Sequence, residues 1–192
     1  MTAEYVGSYY ELARIPKDPR PQVALAGRSN VGKSSLLNKL VGQKGLAKVS
    51  GTPGKTRSLN FFLVNENFYL VDLPGYGYAR VPKAVKESWG ELVEQYLTGA
   101  SRLIGLVLLL DSRRDPTPED AQMLEWLAAR ELPALIVLTK ADKLKRSQIN
   151  QKVQQVERDL QLSAIPTSVK SGMGKNDLVR AIVDLVEESS TR

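Results

Sequence analysis

The chain has 192 residues, of which 42% are hydrophobic and 25% charged, ordinary usage for a globular protein. It contains neither Cys nor His. That excludes disulfide frameworks, thiol nucleophiles, thiolate or imidazole metal sites and any Ser-His-Asp triad, so metal chemistry must use oxygen donors and favours a hard cation such as Mg²⁺. The net charge of +6 is uneven: residues 1–57 carry ten Lys/Arg against three Asp/Glu, and residues 58–192 carry 17 against 18. A basic first third suits a polyanionic partner.

Residues 1–20 read as a short N-terminal extension of a single domain spanning 1–192. They are polar and rich in Tyr, without the apolar stretch of a signal peptide. The run 22–26, ending at Gly27, reads as a buried strand. A Gly-rich turn and a helix over 33–41 follow. Residues 42–57 hold four Gly and one Pro, a long loop of the kind that carries function. Leu59–Val64 and 68–71 read as strands joined by a hairpin at Asn65, Glu66 and Asn67. Residues 72–82 form another loop. Val85, Trp89, Leu92, Val93, Tyr96 and Leu97 then recur at helical spacing. The continuous apolar run 103–110 is a strand covered on both faces, too short to cross a bilayer. Thr117 as N-cap, Pro118 at the first position and Glu119 and Asp120 in the first turn start a helix that runs to about 130. A strand over 134–138, a helix marked by Ile149, Val153, Val156 and Leu160, a strand over 164–167 and a helix marked by Leu178, Ile182, Leu185 and Val186 complete the chain. This alternation predicts an α/β fold: a mostly parallel six-stranded sheet with one antiparallel edge strand and helices on both faces. Ligands of such sheets bind beyond the C-terminal strand ends. A soluble cytoplasmic protein with no membrane span is expected.

The motifs fall at those strand ends. Gly27, Arg28, Ser29, Asn30, Val31, Gly32, Lys33 and Ser34 fit the phosphate-loop pattern, with a strand before and a helix after. Backbone N–H groups and the helix N-terminus cradle phosphates, Lys33 reaches the β- and γ-phosphates, and the Ser34 hydroxyl ligates Mg²⁺. Asp72, Leu73, Pro74 and Gly75 follow a strand. Asp72 can hold Mg²⁺ through water, and Gly75 can offer its N–H to a γ-phosphate. A hydroxyl from Thr52 or Thr56 can complete the Mg²⁺ shell while the γ-phosphate is present, which makes the loop a switch. Thr139, Lys140, Ala141 and Asp142 follow the strand 134–138. A carboxylate at Asp142 can accept two parallel N–H bonds from guanine N1 and its 2-amino group, which adenine lacks. Lys140 can lay its alkyl stem along the base. Thr167, Ser168 and Val169, followed by Lys170, are placed for a backbone contact to guanine O6.

In this order the motifs resemble those of a Ras-like, translation-factor-class GTPase. Asp72-Leu73-Pro74-Gly75-Tyr76-Gly77-Tyr78, Pro53-Gly54-Lys55-Thr56-Arg57 and Thr139-Lys140-Ala141-Asp142 together resemble the bacterial EngB family (also called YihA or YsxC), over nearly the whole chain. The resemblance implies a Ras-like three-layer fold, GTP and GDP as ligands, Mg²⁺ on Ser34, Thr56 and Asp72, and nucleotide contacts from Gly54, Lys55, Thr56, Arg57 and Ser58 as well as the loops above. It selects Thr56 over Thr52. Lys33, Thr56, Gly75 and Asn30 form the implied catalytic set. It also implies action in large ribosomal subunit assembly and a need for the protein in normal cell division and septation. Two residues depart from the wider GTPase pattern and match this family: Thr139 replaces Asn, and Tyr76 replaces the catalytic Gln after Gly75. With that Gln absent, slow intrinsic hydrolysis is expected. Asn30 stands where related GTPases use Asn to hold K⁺ near the β- and γ-phosphates, and Arg57 and Arg80 are further candidates to stabilise transferred charge. The basic residues left for the ribosomal large subunit or its RNA are Arg14, Lys17, Arg20, Lys39, Lys44, Lys48 and Arg57. A monomer is expected. The second reading is a GTP-sensing binding module with little hydrolysis of its own. The third, a P-loop ATPase or nucleotide kinase, is disfavoured by Asp142.

Overall fold

A computed structural model describes residues 1–47, 58–76 and 83–190, with the backbone alone for 83–89. Strand β1 (Ala3–Tyr9) leads into a single 3-10 turn and β2 (Gln22–Gly27), helix α1 (Lys33–Val41), β3 (Leu59–Val64), β4 (Phe68–Asp72) and α2 (Lys83–Gly99). Then come β5 (Leu103–Asp111), α3 (Pro118–Ala128), β6 (Ala134–Thr139), a 3-10 turn at Ala141–Lys143, α4 (Arg146–Leu160), β7 (Ala164–Pro166) and α5 (Lys175–Ser190). The sheet order is β1-β3-β4-β2-β5-β6-β7.

The continuous apolar runs form the central strands because both sheet faces are covered. Along β5, Val107 and Leu109 pack on one side with Leu36, Leu37 and Leu40 of α1 and Leu178 and Ile182 of α5. Leu106, Leu108 and Leu110 pack on the other with Leu92 and Tyr96 of α2, Leu127 of α3 and Val156 of α4. Period-2 alternation thus feeds two cores from one strand. Helix α3 starts as its sequence signals: Asp120 Oδ2 accepts the Thr117 N–H at 2.8 Å and the Thr117 hydroxyl at 2.9 Å, with Pro118 in the first turn.

The sheet differs from the expected one in two linked respects. Among the described residues it has seven strands rather than six, because part of the segment expected as an extension, Ala3–Tyr9, is a strand. The single reversed strand, β3, therefore lies second from the edge, antiparallel to β1 on one side and β4 on the other. Among β1 residues only Ala3 is buried, so the segment carries no hydrophobic period. Cross-strand aromatics hold it instead: the Tyr5 and Phe62 rings lie 5.6 Å apart, and Tyr9 meets Phe61 edge-on at 5.3 Å. Among the described residues no helix is long and apolar enough to cross a membrane.

Candidate functional site

Strands β2, β4, β5, β6 and β7 run parallel, and their C-terminal ends carry the motif loops together at one end of the sheet. The first loop joins β2 to α1. Its helix begins after Gly32, whose backbone is left-handed with φ 108° and offers no side-chain cap. The first-turn N–H groups of α1 are thus left for an anion. Lys33 opens the helix with its side chain buried, and its ammonium is paired with the Asp72 carboxylate at the end of β4. Both side chains are under 10% exposed. Ser34 follows, half-buried.

Residues 73–76 continue β4 across the phosphate loop. The Leu73 N–H donates to the Leu25 carbonyl at 3.0 Å, and the Ser29 N–H donates to the Tyr76 carbonyl at 3.0 Å. Arg28 and Tyr76 form an isolated parallel bridge. The Tyr76 side chain turns away from this backbone contact, and its hydroxyl donates to Asp120 Oδ1 at 2.5 Å. Burial, and next the bond to Asp120, push this hydroxyl far above the ordinary tyrosine range, so it stays a protonated donor. Behind it, between α2 and α3, lies an apolar cavity of about 410 Å³.

The loops after β6 and β7 are tied to each other and to the phosphate loop. Thr139 is buried, and its hydroxyl donates to the Val31 carbonyl at 2.7 Å, with the Leu110 carbonyl 3.1 Å away. It ties the end of β6 to the loop after β2. The Ala141 N–H donates to the Thr167 carbonyl at 3.0 Å. Asp142 is exposed, and its Oδ1 accepts the hydroxyl of the buried Ser168 at 2.7 Å. That bond is the main cause holding the Asp142 carboxyl below its ordinary value, so it remains an ionised acceptor with lone pairs to spare. Val169 is exposed beside it. The return of this loop to α5 passes Gly174, at φ +69°, where a Cβ would stand 2.1 Å from the Pro166 carbonyl oxygen. No side chain fits there.

Lys140 does more than pack. Its ammonium donates to the Asn30 carbonyl at 2.7 Å and to Asp111 Oδ2 at 2.9 Å. Asp111, at the end of β5, also accepts both Arg113 Nε at 2.9 Å and Arg113 Nη2 at 2.7 Å. Burial raises the Asp111 carboxyl, but the Arg113 and Lys140 bonds outweigh it and leave it far below the usual carboxylate range. Asp111 therefore pins Lys140 to the phosphate loop around a cleft of about 290 Å³. The sequence marks Asp120 only as a helix-start acid and gives Asp111 no role. An acid at a C-terminal strand end and an acid in a first helical turn were the available signals.

Of the nucleotide contacts expected over residues 54–58, only Ser58 is described. It is buried at the entry to β3, and its hydroxyl donates to Asn60 Oδ1 at 3.1 Å. Lys48, Thr52, Gly54, Lys55, Thr56, Arg57, Gly77, Tyr78 and Arg80 lie outside the described residues. No cluster of three acidic, Cys or His side chains gathers among the described residues.

Residues 22–140 match the family model of the 50S ribosome-binding GTPases. A relative from Caldanaerobacter subterraneus subsp. tengcongensis, described as a probable GTP-binding protein EngB, is 45% identical over 190 residues, covering 97% of this chain and 98% of its own. Another of that description, from Pelotomaculum thermopropionicum, is 48% identical over 184 residues, covering 94% and 93%. The crystal structure of a probable GTP-binding protein engB superposes with TM-score 0.72 at 26% identity, covering 87% of this chain and 99% of that one. Era bound to MgGDPNP and a 16S ribosomal RNA fragment superposes with TM-score 0.70 at 23% identity, covering 87% and 57%, a likeness of fold.

Proposed function

Because the chain belongs to the EngB family of GTP-binding GTPases, we propose that it is a slow, nucleotide-dependent switch acting in assembly of the large ribosomal subunit. In the reaction, water attacks the γ-phosphorus and GDP leaves, with catalysis carried by positioning and charge. Lys33 and the α1 N-terminus hold the phosphates. Asp142, with Ser168 fixing its carboxylate, reads guanine. Lys140, pinned by Asp111, backs the base. The observation that carries the reading of a slow switch is the Tyr76–Asp120 bond. The side chain standing where GTPases place a water-orienting Gln is directed into α3.

The donor set suits Mg²⁺. Asp72 is one carboxylate, paired with Lys33 at the start of the helix that also carries the Ser34 hydroxyl, and Mg²⁺ is commonly held by one or two carboxylates together with substrate phosphates. In our reading Ser34, Asp72 and Thr56 hold it, and the bound ion neutralises charge on the β- and γ-phosphates. Asn30 is proposed to support K⁺ at the same phosphates. Its left-handed backbone, φ 64°, leaves it exposed on the loop. Faster turnover in K⁺ than in Na⁺ buffer is expected, and equal turnover removes this role.

The family description supports a ribosomal partner. We place the protein in the cytoplasm as a monomer whose basic residues in 1–57 face the large subunit or its RNA, with cell division and septation depending on that assembly. The test is co-sedimentation with large subunits in GDP and in a non-hydrolysable GTP analogue across a salt series. Nucleotide-dependent pelleting that weakens steeply with salt is expected. Pelleting indifferent to nucleotide would end the switch reading.

A further inference from the structure

The segment 72–76 closes onto the phosphate loop through two contacts made within the chain. Asp72 takes the Lys33 ammonium, and the Tyr76 carbonyl takes the Ser29 N–H at 3.0 Å. The contact is close enough to leave no gap: a Cβ on Gly75 would stand 3.1 to 3.2 Å from Ser29 atoms. A diphosphate can end at Lys33 and the first-turn amides of α1 with the Gly75–Ser29 contact intact. A triphosphate that is to be held by both Lys33 and the Gly75 N–H must enter between the two loops and part them.

Something fixes the segment in its closed position. The Tyr76 hydroxyl donates to Asp120 Oδ1 at 2.5 Å, and Asp120 is 2% exposed. Its other oxygen is committed to the Thr117 N–H and hydroxyl in the α3 capping box. The acceptor is therefore immobilised by a helix terminus before Tyr76 reaches it. A hydrogen bond to a buried carboxylate is among the stronger single contacts.

We propose that Tyr76 and Asp120 are specificity-determining residues for the nucleotide: their hydrogen bond latches segment 72–76 onto the phosphate loop and biases the site toward GDP over GTP. The proposal rests on the phosphate-loop reading above. A ligand that binds only the opened state is penalised by the closed population, whereas one that fits both states is not.

The test is equilibrium binding of fluorescent GDP and of a fluorescent non-hydrolysable GTP analogue to the full chain. Tyr76→Phe keeps the ring in its cavity and removes the donor. It is expected to tighten the GTP analogue about tenfold while GDP changes less than twofold. Asp120→Ala, which removes the acceptor outright, serves as the second variant, with the same direction expected. Thr117→Val removes the hydroxyl bond to Asp120 Oδ2 but keeps the backbone N–H bond that holds the carboxylate in place, so it should lower the melting temperature and leave the GDP-to-GTP ratio unchanged. Equal shifts for both nucleotides in Tyr76→Phe, or the same ratio change in Thr117→Val, would overturn the latch. Absence of nucleotide binding by the unmodified protein would instead remove the phosphate-loop reading beneath it.

Discussion

Replacing Lys33 with Met is expected to lower the unfolding free energy of the nucleotide-free protein by about 3 kcal/mol and to weaken GTP and GDP at least a hundredfold. Two effects share one side chain. In the described structure the ammonium neutralises Asp72, which is 3% exposed. Removing it strands a carboxylate away from water, and a lone buried charge costs far more than a surface one. When nucleotide binds, the same ammonium is needed at the phosphates. A double-mutant cycle separates the two roles. Adding Asp72→Asn to Lys33→Met should return most of the lost stability, because no charge is left to strand, and none of the affinity. Urea unfolding and nucleotide titration of the four proteins decide it. If Lys33→Met unfolds at the same urea concentration as the parent, the ion pair contributes nothing to the apo fold.

Asp142→Asn is expected to exchange one purine for another. The carboxylate is ionised and acceptor-only, with Ser168 on one oxygen and capacity remaining. Guanine presents two parallel donors to it. An amide presents one acceptor and one donor edge, so one guanine bond is lost and a donor opposes a donor. Xanthine carries a carbonyl where guanine carries its 2-amino group, which the Asn amide can satisfy. Sites built on hydrogen bonds reject a mismatched analogue strongly, because buried polar groups are left unpaired. GTP binding should fall at least a hundredfold and XTP should become the preferred triphosphate. An Asn variant that still selects GTP over XTP would mean that guanine is read elsewhere.

The central sheet and the loops at its ends were legible because each carries a local signal. Strand β5 is an uninterrupted apolar run, α3 announces its start within four residues, and the phosphate and base loops are contiguous patterns. Strand β1 was not legible, since its pairing with β3 rests on partners some 50 to 60 positions away and on aromatic contacts rather than on burial. The same reason hid the working connections of the site. Lys140 reaches the Asn30 carbonyl across 110 positions, and Tyr76 reaches Asp120 across 44. The sequence showed that Tyr76 displaces a Gln. Only the fold shows what holds it.

The strand order also bears on how the chain can be made. Strand β2 carries the phosphate loop, yet its neighbours are β4 and β5, and β5 ends at Asp111. Strand β1 pairs, among the described residues, with β3 alone. During synthesis β1, β3, β4 and β2 can pair once Asp72 has emerged, but β2 lacks its other neighbour, β5, until more than half the chain is made. Such distant parallel pairings are slow steps. The ability to bind nucleotide should thus arise late and abruptly, when β5 docks beside β2. Nucleotide capture by a nascent chain would then report completion of the sheet's centre rather than emergence of the motif itself.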